Sequence, residues 1–366
     1  MHTVYLSETV TEQKRKIIHC DCDCFYAAVE MRDKPSYRHR PIAIGGAANS
    51  RGVIATCNYP AREFGVHSAM PSSQAMRACP ELLIIPGRMS VYKAVSEQIM
   101  AIFRRYSDTI EPLSLDEAFI DVTEVTILGG SATRIAQKIR QQVEAEVGIT
   151  ISAGVAPNKF IAKVASDWRK PNGLFVVKPS ELDAFSAQLA VKKIPGIGPV
   201  SAAKLAQHGI QTCADLRPFS EAQLQQKFGS MGQSLANRRY GLDYRPVQTS
   251  RIRKSVSVEN TYATDLKTIE DCGEALLPLY EQLMLRWQKL TTHYAVSGLV
   301  VKLKFADFSQ LTREHTNAEI DLDFFKRLLQ QAFSSGNVKQ KEGGVRLLGL
   351  GFKLSSPVTQ QQLRLF

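Results

Sequence analysis

The chain has no long apolar run. Stretches such as Leu82–Pro86 fall far short of the roughly 20 residues that cross a bilayer. It also lacks the apolar core and small-residue cleavage site of a secretory leader, reading polar and charged through Lys14-Arg15-Lys16. Its seven cysteines are an odd number without the spacing of a disulfide framework, which fits reduced thiols. These absences predict a cytoplasmic protein with no membrane partner. Acid is in short supply too: 35 Asp and Glu stand against 46 Lys and Arg, a net charge of +11 that points to a polyanionic partner. A hydrophobic fraction of 44% argues against wholesale disorder, and 366 residues exceed one ordinary core, so several modules are expected.

Residues 1–15 carry no clear periodicity and read as an extension. Ile17–Cys24 alternates like a strand, with Asp21 and Asp23 on one face and Cys20, Cys22 and Cys24 on the other. A short helical stretch follows from about Phe25 to Met31, and 41–86 reads as a small mixed insert. Helical spacing returns from Tyr92 to Tyr106. Ile110–Leu115 and Ala118–Val122 then read as a hairpin with Asp116 and Glu117 at its tip. Ser131 caps a helix carrying Ile135, Ile139, Val143 and Val147, stopped by Gly148, and a buried strand follows at 150–156. That order suggests a ferredoxin-like α+β module with an insert after its first strand. Residues 178–243 read as short helices, and Leu299–Phe305 and Val345–Leu354 as strands around helices near 270–290 and 320–333. No internal repeat is evident.

Four groups of residues carry chemistry. Carboxylates at a strand end (Asp21) and at a neighbouring hairpin (Asp116, Glu117) can converge on one sheet edge, where hard oxygen donors suit divalent magnesium. Acids at turns are more often simply solvated, but two such groups in an apolar setting make that reading the weaker one. Thr56 to Arg62, with Lys170 further on, offers hydroxyl and cationic donors of the kind a triphosphate needs. Pro195-Gly196-Ile197-Gly198 leads into a helix, so its backbone N–H groups can approach a phosphate; an ordinary turn between helices is the plainer alternative. Arg251, Arg253 and Lys254 precede a strand, and Lys302 and Lys304 alternate with apolar residues, putting both lysines on one face. The three cysteines around Asp21 lack a fourth ligand and read as small buried hydrophobes.

Residues His19 to Glu30, with Cys22-Asp23-Cys24-Phe25-Tyr26 at their centre, resemble the opening motif of the Y-family, lesion-bypassing DNA polymerases of bacteria. Ser114-Leu115-Asp116-Glu117-Ala118-Phe119-Ile120-Asp121 resembles their second catalytic motif. The resemblance implies a multidomain α+β right-hand polymerase. Its parts are a ferredoxin-like palm (16–24 and 89–177), small fingers (25–88), a helical thumb with a helix-hairpin-helix (178–243), a linker (244–254) and an α+β little finger (255–354). It further implies template-directed DNA synthesis of low fidelity, past damaged bases and without proofreading, by a monomer using two Mg2+ ions.

The same resemblance supplies residue roles. Asp21, Asp116, Glu117 and the Cys22 carbonyl would hold the metals, Asp23 being no metal carboxylate. Tyr26 would be the steric gate against ribonucleotides, and Thr56, Tyr59, Arg62 and Lys170 would contact the deoxynucleoside triphosphate. Gly196, Ile197, Gly198, Arg251, Arg253, Lys254, Lys302 and Lys304 would face primer–template DNA. Gln362, Leu363, Leu365 and Phe366, in the tail 355–366, resemble the peptide by which bacterial polymerases bind the sliding clamp. Two rivals remain at this stage: a catalytically dead DNA-binding relative, which the intact carboxylates oppose, and a nucleotidyl cyclase, which needs neither the helix-hairpin-helix nor the basic last domain.

Overall fold

The computed structural model describes residues 15–316, 319–334 and 344–356. The expected extension up to residue 14 and the expected clamp-binding residues Gln362, Leu363, Leu365 and Phe366 lie outside the described residues. The chain forms two compact units. One takes the described parts of Met1–Gly45, Ile54–Met70 and Arg77–Ser250; the other takes Gly46–Val53, Pro71–Met76 and those of Arg251–Phe366. Among the described residues no helix is long and apolar enough to cross a membrane.

The first unit is built on a five-stranded sheet in the order Ile110–Pro112, Glu117–Asp121, Ile17–Cys22, Ile151–Ala156, Leu174–Val176. Only the last pairing is parallel; the central strand runs antiparallel to both neighbours. Alternation along that strand sends Ile18, Cys20 and Cys22 to one face, where they pack with the helices Met89–Arg104 and Ala132–Val147. Those cysteines are buried free thiols, as the sequence suggested. Ser131 and Gly148 cap the second helix at its two ends, Gly148 in the left-handed conformation. The opposite sheet face carries Ile17, His19 and Phe119 and is covered by the helix Lys159–Ser166, whose core continues into the short helices of 178–243.

Two local expectations need correction. The first strand stops at Cys22, because Cys24 takes a left-handed backbone (φ 44°) that starts the helix Phe25–Asp33; Cys24 therefore does not extend the strand face. Glu117 is not at a hairpin tip but is the first residue of its strand, and Leu113–Asp116 form the connecting loop. A parallel and an antiparallel pairing join the strands Ile42–Gly45, Leu83–Ile85 and Ile54–Cys57 into a separate small sheet.

The polar stretch beyond Asp243 is held down in its first half. Arg15 donates to the carbonyls of Asp243 (2.7 Å) and Arg245 (3.0 Å), Lys159 donates to that of Pro246 (3.1 Å), and Val247 is buried. The second unit is a four-stranded antiparallel sheet ordered Gln310–Thr316, Ala295–Phe305, Val345–Ser355, Ser255–Leu266. The helices Ile269–Gln288 and Leu322–Ser334 contribute to its core with Leu276, Leu283, Phe325 and Leu328.

Candidate active site

Register places the acids. Asp21 pairs directly with Glu117, and His19 with Phe119, so all four side chains share the sheet face under the helix Lys159–Ser166. The Cys22 N–H donates to the Asp116 carbonyl (2.9 Å), which locks the loop bearing Asp116 to the end of the central strand. The Asp116 Oδ1 accepts a hydrogen bond from the Ser114 hydroxyl (2.6 Å). Ligand atoms of His19, Asp21 and Glu117 lie within 4.8 Å of one another. Two ammonium groups rest on these carboxylates: Lys170 pairs with Asp21 and, at 3.2 Å, with Asp167, while Lys163 pairs with Glu117.

Burial pushes the Asp21 carboxyl up to about 6 despite Lys170. Glu117 feels burial too, but hydrogen bonds from His19 and Lys163 hold it down at about 2. Desolvation opposes the Lys170 charge, yet Asp21 and Asp167 raise its pKa. Complete burial lowers His19 to about 4, so its ring is neutral near pH 7. Asp116 also pushes up the Tyr26 phenol, after burial of that ring, so the loop carboxylate and the tyrosine feel one another.

Asp23 does a different job from Asp21. It is buried and accepts from the Ser152 hydroxyl (2.8 Å), the Thr150 hydroxyl (2.8 Å) and the Asn172 N–H (2.7 Å). It thereby ties the Lys170-bearing loop to the strand Ile151–Ala156. Arg140 adds bonds to the Asn172 side chain (2.7 Å) and carbonyl. The loop turns too tightly for any side chain at Gly173, where a Cβ would stand 1.8 Å from the Arg169 carbonyl oxygen. Replacing Asp23 by Ala strands one buried donor, Ser152, and two partly buried ones, and is expected to cost about 3 kcal/mol. Chemical denaturation reads this out; a loss below about 1 kcal/mol would show that the clamp is dispensable.

The expected triphosphate contacts gather beside this loop. Thr56 lies buried on the strand Ile54–Cys57, and Asn58 caps the helix Tyr59–Glu63 by accepting from Ala61 N–H (3.2 Å). That cap sets out Tyr59 and Arg62, whose guanidinium sits 4.8 Å from the Tyr59 ring centre. The Tyr59 hydroxyl is buried with no hydrogen-bond partner. Burial first, and then the nearby Asp23 charge, push that phenol up to about 12, while Arg62 and Lys170 pull it down. Tyr26 stacks on Tyr92, ring centres 4.4 Å apart at 18°.

The other expected residues lie on other elements. Gly196 takes a left-handed φ of 92°, and the Pro195 carbonyl is held by Arg238 (2.6 Å), so Ile197 and Gly198 lead directly into the helix Pro199–Ala206. Arg251, Arg253 and Lys254 are exposed. Lys302 and Lys304 do share a face opposite the buried Val301, Leu303 and Phe305; Lys302 already pairs with Glu259 (2.9 Å), and Lys304 lies 4.8 Å from the Phe308 ring centre. The sequence reading singled out neither His19 nor Lys163. The period of two that placed Asp21 on its face also places His19 there. Lys163 stands with Lys159 and Ser166 at i, i+4 and i+7, a helical polar stripe that could have pointed to it.

Comparison with known proteins agrees with this geometry. Residues 20–167 match the impB/mucB/samB family and 253–365 its C-terminal domain, while 192–243 match the thumb domain of DNA polymerase-iota. The DNA polymerase IV of Ralstonia nicotianae is 54% identical over 340 residues, 93% of this chain and 94% of that relative. The DNA polymerase IV of Ectopseudomonas mendocina is 51% identical over 97% of this chain and 99% of that relative. Among solved structures, a Y-family DNA polymerase chimera of Dbh and Dpo4 matches with a TM-score of 0.83 at 29% identity, covering 92% of this chain and 98% of that one. An insertion ternary complex of Dbh DNA polymerase matches with a TM-score of 0.65 at 28% identity over 93% of this chain and 99% of that one. The architecture is therefore the α+β right-hand polymerase expected from the sequence, with its ferredoxin-like palm, helix-hairpin-helix thumb and α+β last domain. The chain belongs to the impB/mucB/samB family of Y-family DNA polymerases and is a DNA-directed DNA polymerase.

Proposed function

We propose that this polymerase extends a primer 3′ end along a template by two-metal-ion catalysis, with Asp21, Asp116, Glu117 and the Cys22 carbonyl holding two Mg2+ ions. The observation that carries the proposal is the cross-strand pair Asp21–Glu117, with two lysine ammonium groups drawn onto its oxygens. Oxygen donors that already attract cations from two sides suit a hard divalent ion. Bound there, such ions activate the primer hydroxyl and stabilise the leaving pyrophosphate. Lys170, Arg62 and Thr56 bind the triphosphate of the incoming deoxynucleotide, and the unpartnered Tyr59 hydroxyl gains from it the acceptor it lacks. Tyr26 excludes the 2′-hydroxyl. Synthesis is of low fidelity, passes damaged template bases and has no proofreading, as the family resemblance implies. Primer extension on undamaged and lesion-bearing templates tests the whole reading; failure to extend either would sink it.

Primer–template DNA is held by its phosphates, through Gly196, Ile197 and Gly198 in the thumb and through Arg251, Arg253, Lys254, Lys302 and Lys304. Roughly five such contacts give a log–log salt slope of about −4 to −5, with little dependence on sequence. Titrations of labelled primer–template at several salt concentrations measure it, and a flat response would contradict phosphate-based binding. The protein acts as a monomer tethered to a sliding clamp by Gln362, Leu363, Leu365 and Phe366. Tethering raises local concentration without touching the active site. Deleting 362–366 therefore spares basal extension and erases stimulation by a loaded clamp; undiminished stimulation would place the tether elsewhere.

A further inference from the structure

His19 is a fully buried polar side chain within reach of the active-site carboxylates, and the polymerase chemistry above gives it no task. Its Nε2 lies 3.2 Å from the Glu117 Oε2, and its Nδ1 lies 2.8 Å from the Ser166 hydroxyl oxygen. A carboxylate oxygen only accepts, so a bare Nε2 would set two lone pairs against each other at that distance. The proton therefore sits on Nε2 and is donated to Glu117. The Ser166 hydroxyl donates to the Lys163 carbonyl (2.8 Å) or, with its single proton turned the other way, to Nδ1. Phe119, its ring centre 4.7 Å away, limits rotation of the imidazole from the side.

Lys163 competes for the same carboxylate, lying on Oε2 and 3.5 Å from Nε2. Both donors lie on Oε2, but they differ in rigidity: Lys163 ends a flexible, partly exposed side chain, whereas the His19 ring is fully buried between Ser166 and Phe119. The His19 contact therefore fixes Oε2 and with it the direction of the other oxygen. We propose that His19 is a positioning residue, its Nε2–H holding one oxygen of Glu117 so that the other is presented to the catalytic divalent ions. This rests on the reading of Glu117 as a metal ligand given above.

The test uses the full chain. His19→Phe keeps an aromatic ring and removes both nitrogens, while His19→Gln restores an N–H donor near the Nε2 position. Binding of Mn2+ is followed directly by the electron paramagnetic resonance of the free ion, and the Mg2+ dependence of single-turnover extension is measured beside it. Outer-sphere partners of metal ligands typically contribute 10–100-fold, so His19→Phe is expected to weaken Mn2+ binding and raise half-saturating Mg2+ by about tenfold or more. The KM for nucleotide and the Kd for primer–template at saturating metal should stay within about twofold, and His19→Gln should recover most of the loss. Wild-type metal dependence in His19→Phe, or a His19→Gln protein as impaired as His19→Phe, overturns the proposal. If His19→Phe does not fold, Ser166→Ala decides the matter: it unfixes the ring, so its metal dependence must shift in the same direction, and an unshifted value overturns the proposal. Near-wild-type activity of Glu117→Ala would instead sink the parent reading. An inactive Glu117→Ala beside an unaffected His19→Phe sinks this inference alone.

Discussion

Alanine in place of Asp116 or Glu117 is expected to reduce nucleotide addition on the order of 10³-fold or more, while primer–template affinity changes little. Charge that develops on the attacking and leaving oxygens is stabilised only where cations are already held, and losing such a fixed electrostatic contact raises the barrier by about 4 kcal/mol. On the proposed reading both carboxylates act at that point, whereas DNA is gripped through phosphates elsewhere. Stability should barely register the loss of Asp116, whereas Glu117→Ala leaves the buried His19 N–H without its acceptor and should cost about 1–3 kcal/mol. Asp116 sits on a loop with a single side-chain partner, Ser114. Glu117 is partly exposed, and so is the Lys163 it would leave behind, so water can take over that ammonium. Single-turnover extension, with DNA binding measured in parallel, separates the outcomes. Near-wild-type extension by Asp116→Ala would sink the two-metal assignment, and a large loss of DNA affinity would mean that the carboxylates organise the fold rather than the chemistry.

The strands bearing Asp21 and Glu117 were legible from their apolar, β-branched make-up, and the alternation of side chains along a strand puts both acids on a shared face once the strands pair. What the sequence left out follows from the same rule. Gln310–Thr316 went unread, and Ser255–Leu266 was anticipated only by its start; both are edge strands of the second sheet, with few fully buried positions. The helix Lys159–Ser166 also went unread, although Lys159, Lys163 and Ser166 mark a helical period against Phe160, Ile161, Ala162, Val164 and Ala165; it is only eight residues long. Lys163 and Ser166 came with that helix and were missed with it. Cys24 misled differently, since nothing in a Cys-Phe-Tyr run announces a left-handed residue. Lys302 faces outward as expected from the alternation, and Glu259 across the sheet pairs with it.

Tyr26→Ala is expected to erode discrimination against ribonucleotides by about 100-fold or more, equivalent to ~3 kcal/mol of lost exclusion, while deoxynucleotide addition falls far less. A gate works only if it cannot yield, and this ring is braced from behind. It stacks on Tyr92, which is fully buried, and the Tyr92 hydroxyl donates to the Glu30 Oε1 at 2.7 Å. Arg88 donates to that same oxygen at 2.8 Å, and Phe25 flanks the Tyr26 ring at 5.5 Å. An added 2′-hydroxyl pressed against Tyr26 would therefore have to move a packed tyrosine and break a buried charged network. With alanine the space opens and the hydroxyl, the one group that separates the two sugars, meets nothing. Removing only the hydrogen bond, in Tyr92→Phe, should leave the stacked rings and most of the discrimination in place. Competition between ribo- and deoxynucleotides on one template measures the ratio directly. Unchanged sugar selection in Tyr26→Ala would show that another side chain excludes the 2′-hydroxyl. A parallel collapse of deoxynucleotide addition would mean that Tyr26 supports the nucleotide rather than screening it.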